Sequence, residues 1–139
     1  MNEQALRFIL RMIGGASLFA LIFIFVPYEW MNEIHHGIGL GELPEAPVVG
    51  YLARSVSAFY ALFGGLFLLL SFDVKRHREL ISAVGLGTAF LGLALLFIDW
   101  HEGLPFWWKV WEGPFVTVVG LAIFGLSRKM KDIRIKDEG

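Results

Sequence analysis

Along this chain, apolar stretches alternate with short polar segments, and four of the stretches are long enough to cross a bilayer. They cover residues 8–26, 55–72, 80–98 and 110–127, approximately. Roughly 20 residues of helix traverse the hydrocarbon core, so each stretch suffices if its ends tilt or snorkel. Lipid offers no water to unpaired backbone groups, which makes each one a helix rather than an isolated strand. The pattern predicts an all-α, integral membrane four-helix bundle formed by a single transmembrane domain over residues 1–139. The fourth stretch has an uncharged core from Gly113 to Ser127, extended by the aromatic segment Phe106 to Trp111. Pro114 leaves two readings: a helix from Phe106 kinked near Val110, or a helix that starts at Gly113 with proline in its first turn.

The connections differ in kind. Asp73 to Glu79 is a short charged turn that makes spans two and three a hairpin. The connection 27–51 is long and acidic, with the run Gly37-Ile38-Gly39-Leu40-Gly41 and two prolines, Pro44 and Pro47. Loops of this length are usually functional or interfacial. Its apolar residues Met31, Ile34, Ile38, Leu40 and Leu43 suggest a cap lying on the membrane surface. Its glycines form no phosphate cradle, since no strand precedes them and no helix start with a lysine follows.

Charge orients the spans. Ten of the twelve Lys and Arg residues fall in three groups: Arg7 and Arg11; Lys75, Arg76 and Arg78; and Arg128, Lys129, Lys131, Arg134 and Lys136. The other two connections carry seven of the thirteen acids and only Arg54 and Lys109. This positive-inside alternation places both termini in the cytoplasm. All five tryptophans (Trp30, Trp100, Trp107, Trp108 and Trp111) fall at the opposite end, as an interfacial aromatic belt would. The basic start followed by an apolar run resembles a signal peptide. Phe25 to Trp30 offers no small-residue cleavage site, so an uncleaved first span is expected.

Composition narrows the class further. A hydrophobic fraction of 56% is too high for a soluble domain of 139 residues. The basic groups are short and flank the spans, with no nucleic-acid reading module around them. The last group, Arg128 to Lys136, anchors orientation and can touch anionic lipid. There is no cysteine, which excludes disulfides, thiolate metal sites and electron transfer from cysteine pairs.

Chemistry is sought where ionisable residues enter the apolar zone, because they cost free energy there and tend to face a packed interior or a wet cavity. Three qualify, all near the outer surface: Arg54 opening span two, Asp99 ending span three, and Glu112 at the mouth of span four. Arg54 shares a helical face with Ser57 and Ala61, and a guanidinium on a packing face calls for a carboxylate. Asp99 or Glu112 would supply it, either as a structural ion pair or as part of a ligand pocket. His35, His36 and His101 lie on the same side, but neither His35-His36 nor His101-Glu102 has the spacing of a chelating helix face. No metal site is therefore assigned. Ser55 and Ser57 have no nucleophile motif around them. Small residues mark helix contacts: Ser57, Ala61 and Gly65 on span two, Ala83 with Gly87 and Gly85 with Ala89 on span three, and Gly14 to Ser17 on span one.

The segments Tyr51-Leu52-Ala53-Arg54-Ser55, Phe63-Gly64-Gly65-Leu66-Phe67 and Ser71-Phe72-Asp73, in a four-span layout, resemble the DoxX-like small inner-membrane proteins of bacteria. That resemblance implies a bacterial-type inner (cytoplasmic) membrane. It also implies, for some members, a role as small subunits of quinone-coupled oxidoreductase complexes. The function expected is a non-catalytic accessory subunit, or a binder of a lipid- or quinone-type ligand in an outer pocket lined by Arg54, Asp99 and Glu112. A transporter or proton-coupled carrier and a lipid-acting membrane enzyme are the alternatives. The partners implied are the lipid bilayer and either a membrane-complex protein or further copies of the chain, with no nucleic acid. No cofactor is specified by the sequence.

Overall fold

A computed structural model describes residues 2–137, with side chains through residue 130. The elements in order are α1 (Asn2–Leu18), a 3₁₀ segment (Phe19–Ile24), α2 (Tyr28–Gly37), α3 (Pro47–Phe72), α4 (Arg78–His101) and α5 (Phe106–Asp137). No strand occurs among the described residues. Four helical stretches are long and apolar enough to cross a membrane: Asn2–Ile24, Pro47–Phe72, Arg78–His101 and Phe106–Met130. The side chains of Lys131, Arg134 and Lys136, the far part of the C-terminal basic group, lie outside the described residues.

The helices outrun the apolar stretches for physical reasons. Hydropathy registers side chains, whereas helix formation follows the backbone. α3 begins at Pro47, where the missing N–H costs nothing because the first turn has no intrahelical acceptor for it. It then carries Arg54 and Ser55 without interruption. α5 runs continuously from Phe106 with Pro114 inside it, so the helix takes in the aromatic segment rather than starting at Gly113. The proline removes the donor that would otherwise meet the Val110 carbonyl.

The chain divides into two compact units, residues Met12–Leu68 and residues Met1–Arg11 with Leu69–Gly139. In the first unit, α1 and α3 touch backbone to backbone. A side-chain carbon added at Gly64 would stand 2.6 Å from the Gly14 carbonyl oxygen and from the Leu18 nitrogen. Gly65, the glycine singled out by the Ser57–Ala61 spacing, meets nothing within 4 Å. The contact stripe on α3 is instead Ala61, Gly64 and Phe67, all buried. α2 and the chain after it form a cap over this unit's own residues. Tyr28, Met31, Asn32 and His35 share one face of α2, and Met31 is buried. The Tyr28 hydroxyl donates to the Leu43 carbonyl, and the Leu43 amide donates to Asn32 Oδ1 at 2.6 Å. His35 Nδ1 donates to the Gly41 carbonyl at 2.8 Å, the carbonyl fixing the tautomer. Gly39 and Gly41 take positive φ values of 81° and 84°, which lets the chain turn back onto α2.

In the second unit, α4 and α5 run antiparallel along a seam of small residues. Gly85 lies against Phe124, Ala89 against Gly120, Gly92 against Thr117, and Gly113 against Leu96. Steps of three and four along α4 are matched by equal steps back along α5, the regular interlock of two helices in near-parallel alignment. Gly87, in contrast, is open, and Ala83 is exposed. The Asp73 carboxylate accepts the Arg76 amide at 3.0 Å and closes the turn into α4. Glu3 is shared by Arg7 at 3.0 Å and Lys75 at 3.2 Å, and Arg11 Nε donates to Ser71 at 3.4 Å.

Candidate functional site

Two polar positions stand out, one in each unit. The first is built around Arg54, two turns into α3. Its Nε donates to the Ile24 carbonyl at 3.0 Å and one terminal nitrogen, Nη2, donates to the Val26 carbonyl at 3.1 Å. The end of a helical segment leaves carbonyls without amide donors, and a cation there is favoured by both hydrogen bonding and the local dipole. Within this unit the partners of Arg54 are thus backbone carbonyls, and no carboxylate is among them. Its second terminal nitrogen, Nη1, lies beside Gly50: a side-chain carbon added there would sit 3.0 Å from it.

Next to this guanidinium is an open cleft of about 280 Å³ lined by Tyr28, Glu45, Ala46, Pro47, Gly50 and Arg54. Each wall comes from a different source. α2 contributes Tyr28, the loop contributes Glu45 and Ala46, and the first two turns of α3 contribute the rest. A tight turn from Pro44 to Ala46, closed by a 2.8 Å bond from the Ala46 amide to the Pro44 carbonyl, holds the backbone around Glu45. Desolvation, reinforced by the negative charge of Glu45, holds the Tyr28 phenol above its usual range. It therefore remains a neutral hydrogen-bond donor to Leu43. Sequence reasoning did not single out Tyr28 or Gly50 for this site, and it reached Glu45 only as the end of a loop from Glu33 expected to cover the pocket. The Pro44–Pro47 spacing is the local signal that fixes the chain just before α3, but it does not say which side chains meet Arg54.

The second position lies where α4 ends and α5 begins. Asp99 is only 2% exposed, and its Oδ2 has no hydrogen-bond partner. It occupies the next step of the Gly85–Ala89–Gly92–Leu96 stripe, so the seam of small residues ends in a buried carboxyl. Glu112, beside Gly113, accepts the indole N–H of Trp108 one turn away. The two acids are close enough to interact electrostatically. Lys109 stands 4.9 Å over the ring of Trp100, a cation–π contact rather than an ion pair with either acid. The structure thus brings Asp99 and Glu112 together, while Arg54 belongs to the other unit and has its partners there.

The histidines are engaged separately. His35 is bound to Gly41, and His101 stacks on Phe97 with ring centres 6.1 Å apart. Among the described residues, no group of three or more His, Asp or Glu side chains is gathered so as to hold a metal ion.

Comparison of the chain with protein-family models, with curated proteins and with solved structures finds no match.

Proposed function

We propose that this chain is a multi-pass protein of a bacterial-type inner membrane, a four-helix bundle with both termini in the cytoplasm, that binds a ligand rather than catalysing a reaction. The cleft beside Arg54 takes the polar head of a lipid- or quinone-type molecule at the outer face, as a free-standing binder or as the small subunit of a larger membrane complex. The observation that carries this reading is the cleft itself: a cation on a membrane-length helix, walled by a capping helix and loop, with room beside it. Ligand sites are typically concave, with a few placed polar groups among apolar walls. The resemblance to DoxX-like proteins supports the accessory-subunit form.

Native mass spectrometry on protein extracted gently from its own membrane tests this. A small molecule should stay bound, and should be lost in Arg54→Ala and in Ala46→Trp. The second variant fills the cleft without removing the Arg54 bonds to Ile24 and Val26. Protein that carries no small molecule, or carries it equally in both variants, would defeat the reading. A stoichiometric protein partner would favour the subunit form.

One observation favours a second reading. Asp99, buried beside Glu112 with its Oδ2 unpartnered, resembles the intramembrane acids of proton- or ion-coupled carriers. Flux in proteoliposomes that vanishes in Asp99→Asn would establish it.

A further inference from the structure

Two opposite charges line the cleft and do not neutralise each other. Arg54 lines it with Nη1 beside Gly50, and Glu45 lines it from the loop before α3. No ion pair joins them among the described residues. Flexible acids and bases within reach of one another normally pair. Here both are restrained: two carbonyls hold the guanidinium, and the tight Pro44–Ala46 turn holds the backbone of Glu45. The cleft therefore presents a separated plus and minus.

Such a cleft is complementary to a molecule carrying the same charges in reverse order. A simple anion would meet Glu45, and a simple cation would meet Arg54. We infer that the ligand is zwitterionic, with a phosphate for Arg54 and a primary ammonium for Glu45: a phosphoethanolamine head group, as borne by an ethanolamine phospholipid. This rests on the binding reading given above and names its ligand.

Three features select this chemistry. Guanidinium donors match phosphate oxygens, and a Gly50 without a side chain leaves Nη1 open to them. A primary ammonium offers three N–H donors to a carboxylate, whereas a choline head has none and a glycerol head has no positive charge. The volume of about 280 Å³ suits a head group and excludes a whole lipid. The acyl chains have a surface to follow, because Val48, Tyr51 and Leu52 on α3 are exposed beside the cleft.

The test uses the full chain in nanodiscs of phosphatidylcholine doped with either phosphatidylethanolamine or phosphatidylglycerol, with bound lipid read by native mass spectrometry. Phosphatidylethanolamine should be retained about tenfold over each of the other two, a difference one charged hydrogen bond can supply. Glu45→Gln should erase the preference over phosphatidylglycerol while binding still depends on Arg54. Glu45 is exposed and outside the helices, so this variant should fold as the parent does. Retention of phosphatidylglycerol equal to phosphatidylethanolamine, or a preference indifferent to Glu45→Gln, would overturn the head-group assignment alone. Retention of phosphatidylethanolamine by Ala46→Trp at the level and preference of the parent chain would instead overturn the cleft as a binding site. Soluble phosphoethanolamine that binds as tightly as the lipid would overturn the lipid as its source.

Discussion

Arg54 and Asp99 are both ionisable residues near the end of a membrane-length helix, yet their surroundings treat them in opposite ways. Arg54 finds the carbonyls of Ile24 and Val26, at and just beyond the end of the 3₁₀ segment, where partial negative charge accumulates. Asp99 is buried near the carbonyl end of its own helix, beside a second acid, with one oxygen unpartnered. A helix terminus that satisfies a cation does nothing for an anion. The first residue is stabilised by the fold, and the second is tolerated by it. A group that a fold tolerates at a cost is a sign of function in its own right, which is why Asp99 carries the second reading while the cleft beside Arg54 carries the first.

Replacing Arg54 should have the largest effect on that contrast. Arg54→Met keeps the stem of the side chain but removes two charge-assisted hydrogen bonds. A loss of about 2–4 kcal/mol is expected, read as a lower midpoint of thermal unfolding in detergent. If stability is unchanged, the carbonyl contacts contribute nothing and the asymmetry collapses.

Asp99→Asn should act in the reverse direction. It replaces a buried carboxyl that has an unpartnered oxygen and an acidic neighbour by a neutral amide, so stability should rise by about 1 kcal/mol. A marked loss of stability would show that the carboxylate has an essential partner outside this chain or among lipids. Trp108→Phe should follow, at about 1 kcal/mol of destabilisation, because Glu112 loses the indole donor. The same change made together with Asp99→Asn should cost less, since Glu112 then has less repulsion to withstand. A double-mutant cycle measures that coupling.

The smallest effect concerns pH and the cap. The Tyr28 phenol is raised by desolvation and by Glu45, so its neutral form is favoured in the folded state. The sign follows: this contribution is fully present below the ordinary tyrosine range near 10, and is lost as pH rises through the higher folded value. Absorbance titration of tyrosinate, compared with Tyr28→Phe, should show the Tyr28 phenol ionising late, and Glu45→Gln should bring it earlier. A Tyr28 that titrates with free tyrosine would place it outside the influence of Glu45.

Much of this was readable from residue order. Four apolar stretches bounded by charge specify four long helices, because side-chain hydropathy and helix length are properties of the local chain. The apolar residues Met31, Ile34 and Ile38 suggested a cap in the long connection but no helix there, and α2 occupies Tyr28–Gly37 of it. The glycines were only half readable. Small-residue spacing on α3 pointed to Gly65, but the backbone contact falls on Gly64, one residue and about 100° around the helix away. On α4 two stripes were equally open, and the structure uses Gly85, Ala89 and Gly92 rather than Ala83 and Gly87.

The sequence by itself therefore determined the number and apolar character of the membrane-length helices, and which ionisable residues would stand near their ends. Tertiary structure alone decided which helix face became a seam and what each ionisable residue met there. The partners of Arg54 are backbone carbonyls, which every residue carries, so no pattern of side chains could reveal them. The cleft depends on a γ-turn, a capping helix and the start of α3 converging within one unit. Local chemistry is written residue by residue, but convergence is a property of the folded chain.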